Sequence, residues 1–303
     1  MNMPDLWIIA TLMAAAFQTV RFMLQKVLAT ATLSPAGATF SRFVYSAPFI
    51  AVLLWWYMAQ TGAALPALEW RFWAFGLLGG VTQILATICV VALFKERNFS
   101  VGITFKKTEV IQTVLVGLLL LGERVTWGGL GAILLGLLGV LLLSGGKDAV
   151  GLRLSDLRNR AVGLGLMSGL LFGFSGVSYR GASLSLAVDD PLLRAGVTLL
   201  AVVLMQTLIM VVWLFWRDRA EVGRVWRARR VAVWIGLTSM AGSMCWFTAF
   251  TLQTAAYVNA LGQVELIFSL FATTLFFREK ISGREALGMG VLILSILLLI
   301  LVV

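Results

Sequence analysis

The chain contains no histidine and only two cysteines in 303 residues. Without histidine it has no imidazole metal site and no imidazole proton switch. Cys89 and Cys245 fall inside apolar stretches and read as small packing residues. Charge is scarce: 13% of residues are charged, against 60% hydrophobic, and the mean hydropathy is +0.96. No soluble globular class has that balance. The phosphate-cradling P-loop is missing, which excludes ATP-driven pumping within this chain. A membrane prenyltransferase needs acidic metal-binding motifs, and only Asp189-Asp190 comes near. An intramembrane aspartic protease needs paired aspartates in its spans, and the apolar runs hold none. An enzyme is therefore not expected.

Long apolar runs are abundant. A helix of ~20 residues at 1.5 Å each crosses a hydrocarbon core of ~30 Å. Ten runs qualify, at roughly 5–27, 35–59, 70–94, 100–121, 126–144, 160–183, 191–216, 230–253, 256–277 and 283–303. The expected fold is all-α, a polytopic membrane protein with ten transmembrane helices. The first run is too long for a signal peptide, and no small-x-small cleavage pattern follows it. The net charge of +10 reads as basic loops that orient the chain, with no nucleic acid as partner.

The sequence resembles itself at an offset of 156 residues, without a gap. Pro191 falls on Pro35, Trp226 on Trp70, Cys245 on Cys89, Glu265 on Glu109 and Glu279 on Glu123. Coincidence among Leu and Val is expected in apolar sequence; coincidence of Trp, Cys, Pro and Glu is not. Each repeat, 5–144 and 160–303, holds five runs. Five is odd, so the second repeat enters the membrane from the opposite side and the halves are inverted. Inverted repeats are a recurring plan of secondary transporters, with solute held between the halves. Ser34-Pro35 and Asp190-Pro191 place a capping residue before a proline at the first helical position. That is also the ordinary reading of Asp189-Asp190.

Loops after odd-numbered runs carry Lys95, Arg97, Lys147, Arg153, Arg158, Arg160, the arginines between 217 and 230, Arg278, Lys280 and Arg284. Loops after even-numbered runs carry only Arg71 and Arg124. The positive-inside rule puts the richer side in the cytoplasm, with both termini periplasmic.

Glu109 and Glu265 are repeat mates inside apolar runs, where a carboxylate costs roughly 2.5–3.5 kcal/mol or more and marks a candidate functional site. Glu109 precedes Glu123 by about 21 Å of helix, so the two mates are expected nearer opposite faces of the bilayer. Lys106 can reach Glu109 on the same helical face. Glu265 has Gly262 at the equivalent place, so its partner must come from another helix, with Arg21, Arg42 or Arg194 as candidates. Lys26 and Arg180 are expected to snorkel to an interface. Asn259 and Gln263 share a face, and Gln263 is the mate of Lys107. Trp246, Phe247, Phe250 and Tyr257 are candidates for an apolar wall. The expected solute cavity is thus Lys106, Lys107, Glu109, Asn259, Gln263, Glu265, Arg42, Arg21, Trp246 and Tyr257. Its basic residues favour a carboxylate on the solute. The alternative for each polar residue is interhelical hydrogen bonding. Glycines spaced by four, Gly76 and Gly80, then Gly165, Gly169 and Gly173, read as close helix packing.

Gly122-Glu123-Arg124-Val125-Thr126 and Arg278-Glu279-Lys280-Ile281-Ser282 close the fourth run of each half, each before a glycine-containing last run. With ten runs in two halves, this resembles the EamA family of the drug/metabolite transporter superfamily over essentially the whole chain. Where many members carry proline in each fourth run, Val110 and Leu266 stand here. Related small multidrug transporters use a glutamate in the first span; this first run has Gln18 and Arg21 instead. The resemblance implies a carrier in the bacterial inner membrane for small metabolites, often an exporter of amino acids or related compounds. It also implies a central cavity lined by both halves, and cytoplasmic termini, opposite to the charge count. Channel-like facilitators and lipid flippases on the same scaffold are the alternative. No cofactor or metal is expected. The expected partners are a small-molecule substrate, the lipid bilayer and a coupled proton, in a monomer or homodimer.

Overall fold

The structure, a computed structural model, describes residues 3–31, 33–94, 96, 99–144, 160–277 and 282–303. Lys95, Arg97, Lys147, Arg153, Arg158 and the segment Arg278-Glu279-Lys280-Ile281 lie outside the described residues. Among the described residues every regular element is helical. The helices are α1 (Met3–Ala31), α2 (Pro35–Thr61), α3 (Trp70–Leu93), α4 (Phe99–Lys106), α5 (Glu109–Leu121), α6 (Trp127–Ser144) and α7 (Arg160–Leu184). They continue with α8 (Pro191–Arg217), α9 (Arg219–Arg227), α10 (Arg229–Leu252), α11 (Ala255–Gly262), α12 (Glu265–Phe277) and α13 (Gly283–Val302). Seven of these are long and apolar enough to cross a membrane: α1, α2, α3, α7, α8, α10 and α13. Their outer faces show Trp55, Trp70, Trp216 and Trp234, as expected where lipid is the solvent.

The 156-residue offset reappears in the helix limits. It carries α2 onto α8, α4 onto α11 and α5 onto α12 residue for residue. The packing has the same symmetry. The first helix of each half lies along the third helix of the other, α1 on α10 and α7 on α3, and the last helices α6 and α13 pair with each other. This exchange is what a pseudo-two-fold axis between the halves requires. The starts of α2 and α8 follow their local signals. Ser34 Oγ accepts from Gly37 N, and Asp190 accepts from Leu192 N and Leu193 N, each ahead of a proline at the first turn.

Two expectations are corrected here. The runs 100–121 and 256–277 were expected to be continuous helices; each is broken in the middle. At the first break Thr108 N donates to Phe105 O at 3.2 Å and Ile111 N to Thr108 O at 3.1 Å. At the second, Val264 N donates to Leu261 O at 3.1 Å and Leu266 N to Gln263 O at 3.0 Å. These three-residue steps tighten the backbone and interrupt the regular ladder. No proline is needed, because packing does the work. The glycine stripe of α7 lies directly on the first broken helix: a β-carbon on Gly165 would come 2.1 Å from Gly102 O, and one on Gly169 would come 2.8 Å from Lys106 O. Thr108 Oγ1 also donates to Phe105 O at 2.7 Å. At the second break the Trp246 ring fills the space beside Gly262.

The basic stretch after the seventh run was expected to be a loop; it contains α9. Its Glu221 is buried, accepts from Ser34 N at 2.7 Å and Ser34 Oγ at 2.6 Å, and pairs with Arg224. The start of α2 in one half is thereby tied to the other half. Arg224 is half-buried, and Glu221, then Asp218, raise its already high pKa, so its guanidinium keeps its charge.

Replacing Gly169 by leucine should lower stability by about 1–3 kcal/mol through overpacking. The same change at Gly163, which has nothing within 4 Å of its would-be β-carbon, should leave it nearly unaltered. Thermal unfolding of the two detergent-purified variants compares them directly.

Candidate functional site

Each break frees backbone groups at a helix end and makes a glutamate the first residue of the following half-helix, Glu109 in α5 and Glu265 in α12. A carboxylate is favoured there, since unpaired N–H groups and the helix dipole both point positive charge toward it. Half-helix ends meeting inside a membrane protein are a recurrent way of building a binding site.

Both glutamates line one cavity of about 630 Å³. The expectation that they sit toward opposite faces is therefore revised: the breaks and the pseudo-two-fold axis bring them to a common space. Lys106 Nζ lies 3.4 Å from Glu109 Oε2, the i,i+3 pair expected. Glu265 Oε2 takes its charge partner from the first break, Lys107 Nζ at 3.5 Å, and accepts from Gln18 Nε2 at 2.9 Å. Its partner is thus neither Arg21, Arg42 nor Arg194. Lys107 reaches it because it occupies the first break as Gln263 occupies the second. Both ion pairs are nearly sheltered, with Lys107 3% and Glu265 12% exposed at the side chain.

Eight of the ten expected residues line the cavity: Lys106, Lys107, Glu109, Asn259, Gln263, Glu265, Arg42 and Trp246. Asn259 Nδ2 donates to Thr113 Oγ1 at 3.0 Å, so it also ties α11 to α5. Trp246 Nε1 donates to Gln18 Oε1 at 3.2 Å. Arg42 is held by hydroxyls from both halves, Ser239 through Nε at 2.9 Å, Thr87 through Nη1 at 3.3 Å and Ser243 through Nη2 at 3.4 Å. Arg21 and Tyr257 are not lining residues. Arg21 sits behind Gln18, donating to Gln25 Oε1 at 2.7 Å and to Gln18 Oε1 at 3.4 Å. The Tyr257 hydroxyl turns to the start of α6, accepting from Thr126 N at 3.0 Å. Arg180 does not snorkel: it pairs with Glu123 and donates to the carbonyls of Phe250 and Gln253 at 2.8 and 2.9 Å. Lys26 is exposed near the end of α1.

Gln18, Gln83, Ser175, Tyr179, Ser243 and Phe172 line the cavity without being singled out as candidates in the sequence, and Phe247 and Phe250, expected in the apolar wall, line it as well. One signal was present: Thr87 and Ser243, the two hydroxyls on the ends of Arg42, are repeat mates. Among the described residues no cluster of three metal-ligating side chains exists.

The profile of the EamA-like transporter family matches residues 5–145 and 159–301. The chain belongs to the EamA-like transporter family. A solved crystal structure covers 97% of this chain and 99% of its own length at a TM-score of 0.66, with 17% identity. That similarity supports the fold alone. No curated protein matches the chain. As a member of the EamA-like family it is a multi-pass membrane transporter of the drug/metabolite type, with two repeats and a small-molecule substrate; the family's members are transporters, not enzymes.

Gln18 joins three neighbours, so Gln18→Leu should strand Trp246 Nε1 and Arg21 Nη2 and weaken the hold on Glu265. Each buried polar group left unpaired costs about 1–3 kcal/mol. A fall of that size in unfolding free energy checks the arrangement, and an unchanged value would contradict it.

Proposed function

We propose that the chain is a secondary carrier that moves small polar or amphipathic metabolites, amino-acid-like or related compounds, across the bacterial inner membrane by alternating access. Export is the direction we assign. The proposed frame is ten spans in two inverted halves, 5–144 and 160–303, with α4–α5 and α11–α12 each counted as one broken span. The observation that carries this reading is the cavity itself. It lies where the two broken helices meet, and charged or amide groups of both halves face it.

Rocking one half against the other must loosen and remake contacts across that cavity. The Lys107–Glu265 pair is such a contact, since it joins α4–α5 of one half to α12 of the other. A solute whose charged group competes for Lys107 lowers the cost of separating the halves. Protonation of Glu265 does the same, which is how we assign a coupled proton. Lys106, Lys107, Glu109, Asn259, Gln263, Glu265, Arg42 and Trp246 are the residues proposed to contact solute.

The alternatives are a channel-like facilitator and a lipid flippase. Saturable counter-transport of a labelled metabolite in proteoliposomes is the expected result for a carrier. Linear, non-exchanging flux would favour a channel, and headgroup translocation without solute uptake a flippase. Glu265→Gln should abolish or uncouple that exchange while the protein still inserts and folds; unchanged transport would remove Glu265 from the mechanism. The loop charges set the orientation. A reporter fused after Val303 should be silent in the cytoplasm, and cytoplasmic activity would reverse the assignment.

A further inference from the structure

The cations at the cavity are not equivalent. Lys106 is taken by Glu109 and Lys107 by Glu265. Arg42 is 5% exposed, and among the described residues no carboxylate lies within ion-pair distance of it. Its three hydrogen bonds, all to hydroxyls, use one N–H each at Nε, Nη1 and Nη2. A guanidinium has five N–H groups, so each terminal nitrogen keeps one. A carboxylate is the acceptor that guanidinium N–H groups bind most strongly. The lining therefore holds three cations against two carboxylates. Arg21, behind Gln18 and hydrogen-bonded to the amides of Gln25 and Gln18, adds to the positive potential. A buried cation without its counter-ion is costly in a low-dielectric site. A bound anion would supply that counter-ion.

The rest of the cavity describes the body of the ligand. Trp246 stacks on Phe250 at 5.7 Å and 21° between planes, and Tyr179 stacks on Phe247 at 4.4 Å and 28°. All four side chains line the cavity, so its apolar wall is aromatic. Gln263 is 6% exposed and its Oε1 has no hydrogen-bond partner. A buried acceptor left open in this way is matched by a donor on the ligand.

We propose that Arg42 is the anion subsite of the cavity, and that the substrate class is organic anions with one carboxylate on a flat, apolar body bearing an N–H donor. The inference rests on the reading of this cavity as the solute site. Lys106 and Lys107 are held by their own glutamates, so the head meets Arg42 before it competes with Glu265 for Lys107. Arg42, with Ser243 beside it, selects the charged head. The stacked rings take the flat body, and Gln263 takes its donor.

The test uses the purified full chain and probes that share one body. Indole-3-acetate, indole-3-acetamide and tryptamine differ in charge, and 1-methylindole-3-acetate lacks the ring N–H. Calorimetry on the unaltered protein should find the acetate at least tenfold tighter than the amide, tryptamine weaker still, and the methylated acetate weaker than its parent. Arg42→Gln should abolish the preference for the acetate over the amide, and Arg42→Lys should restore part of the difference. The charge series needs no variant, so it stands even if Arg42→Gln fails to fold. Equal binding of acetate and amide, tighter binding of tryptamine, or a retained preference in Arg42→Gln overturns the proposal. No binding by any probe, in a protein that still exchanges another metabolite, overturns it while leaving the carrier reading intact. Absence of exchange for every solute overturns the carrier reading itself.

Discussion

A charge inside a bilayer must find its opposite there. Lys107 and Glu265 meet this constraint together, each supplied by a different half of the chain. For them to meet, two helices have to break at matched places, and the two halves have to face each other across a pseudo-two-fold axis. The glycine stripe of α7, which lets a neighbouring backbone approach where a β-carbon would clash, serves that end. So does Trp246 against Gly262. The cavity is the space left where these half-helices end.

Duplication supplies the frame and divergence supplies the chemistry. The helix limits of α4 and α5 repeat in α11 and α12 without a shift. At the breaks, however, Lys106 and Lys107 stand opposite Gly262 and Gln263. One half therefore contributes cations and the other an amide and space. Glu109 is neutralised within its own half, while Glu265 depends on the other half. In the proposed solute site, this broken symmetry is what lets an asymmetric solute be gripped at one end and sheltered at the other.

Much of the frame was legible in the sequence. Ser34-Pro35 and Asp190-Pro191 marked the starts of α2 and α8 because capping chemistry is local. The shared offset of Trp, Cys, Pro and Glu announced the repeat, and the cost of a buried carboxylate drew attention to Glu109 and Glu265. The breaks were hidden because Val110 and Leu266 give no local signal; tertiary packing by α7 and Trp246 imposes them. Arg21 was assigned to the cavity as a candidate partner of Glu265, and Tyr257 as an aromatic residue close in sequence; neither charge nor closeness in sequence says what a side chain meets. The partner of Glu265 lay at a break that periodicity treats as ordinary helix, so an arginine looked more suitable than Lys107. Glu221 passed unnoticed in a basic stretch that reads as a solvated loop.

The central claim is that Lys107 and Glu265 hold each other across the two halves. A charge-swap cycle tests it most directly: Lys107→Glu, Glu265→Lys and the double exchange, each assayed by reversible unfolding in the same detergent. Each single reversal should be strongly destabilising, and the double should recover with a coupling energy of about 1 kcal/mol or more. Additive losses in the double exchange would contradict the account.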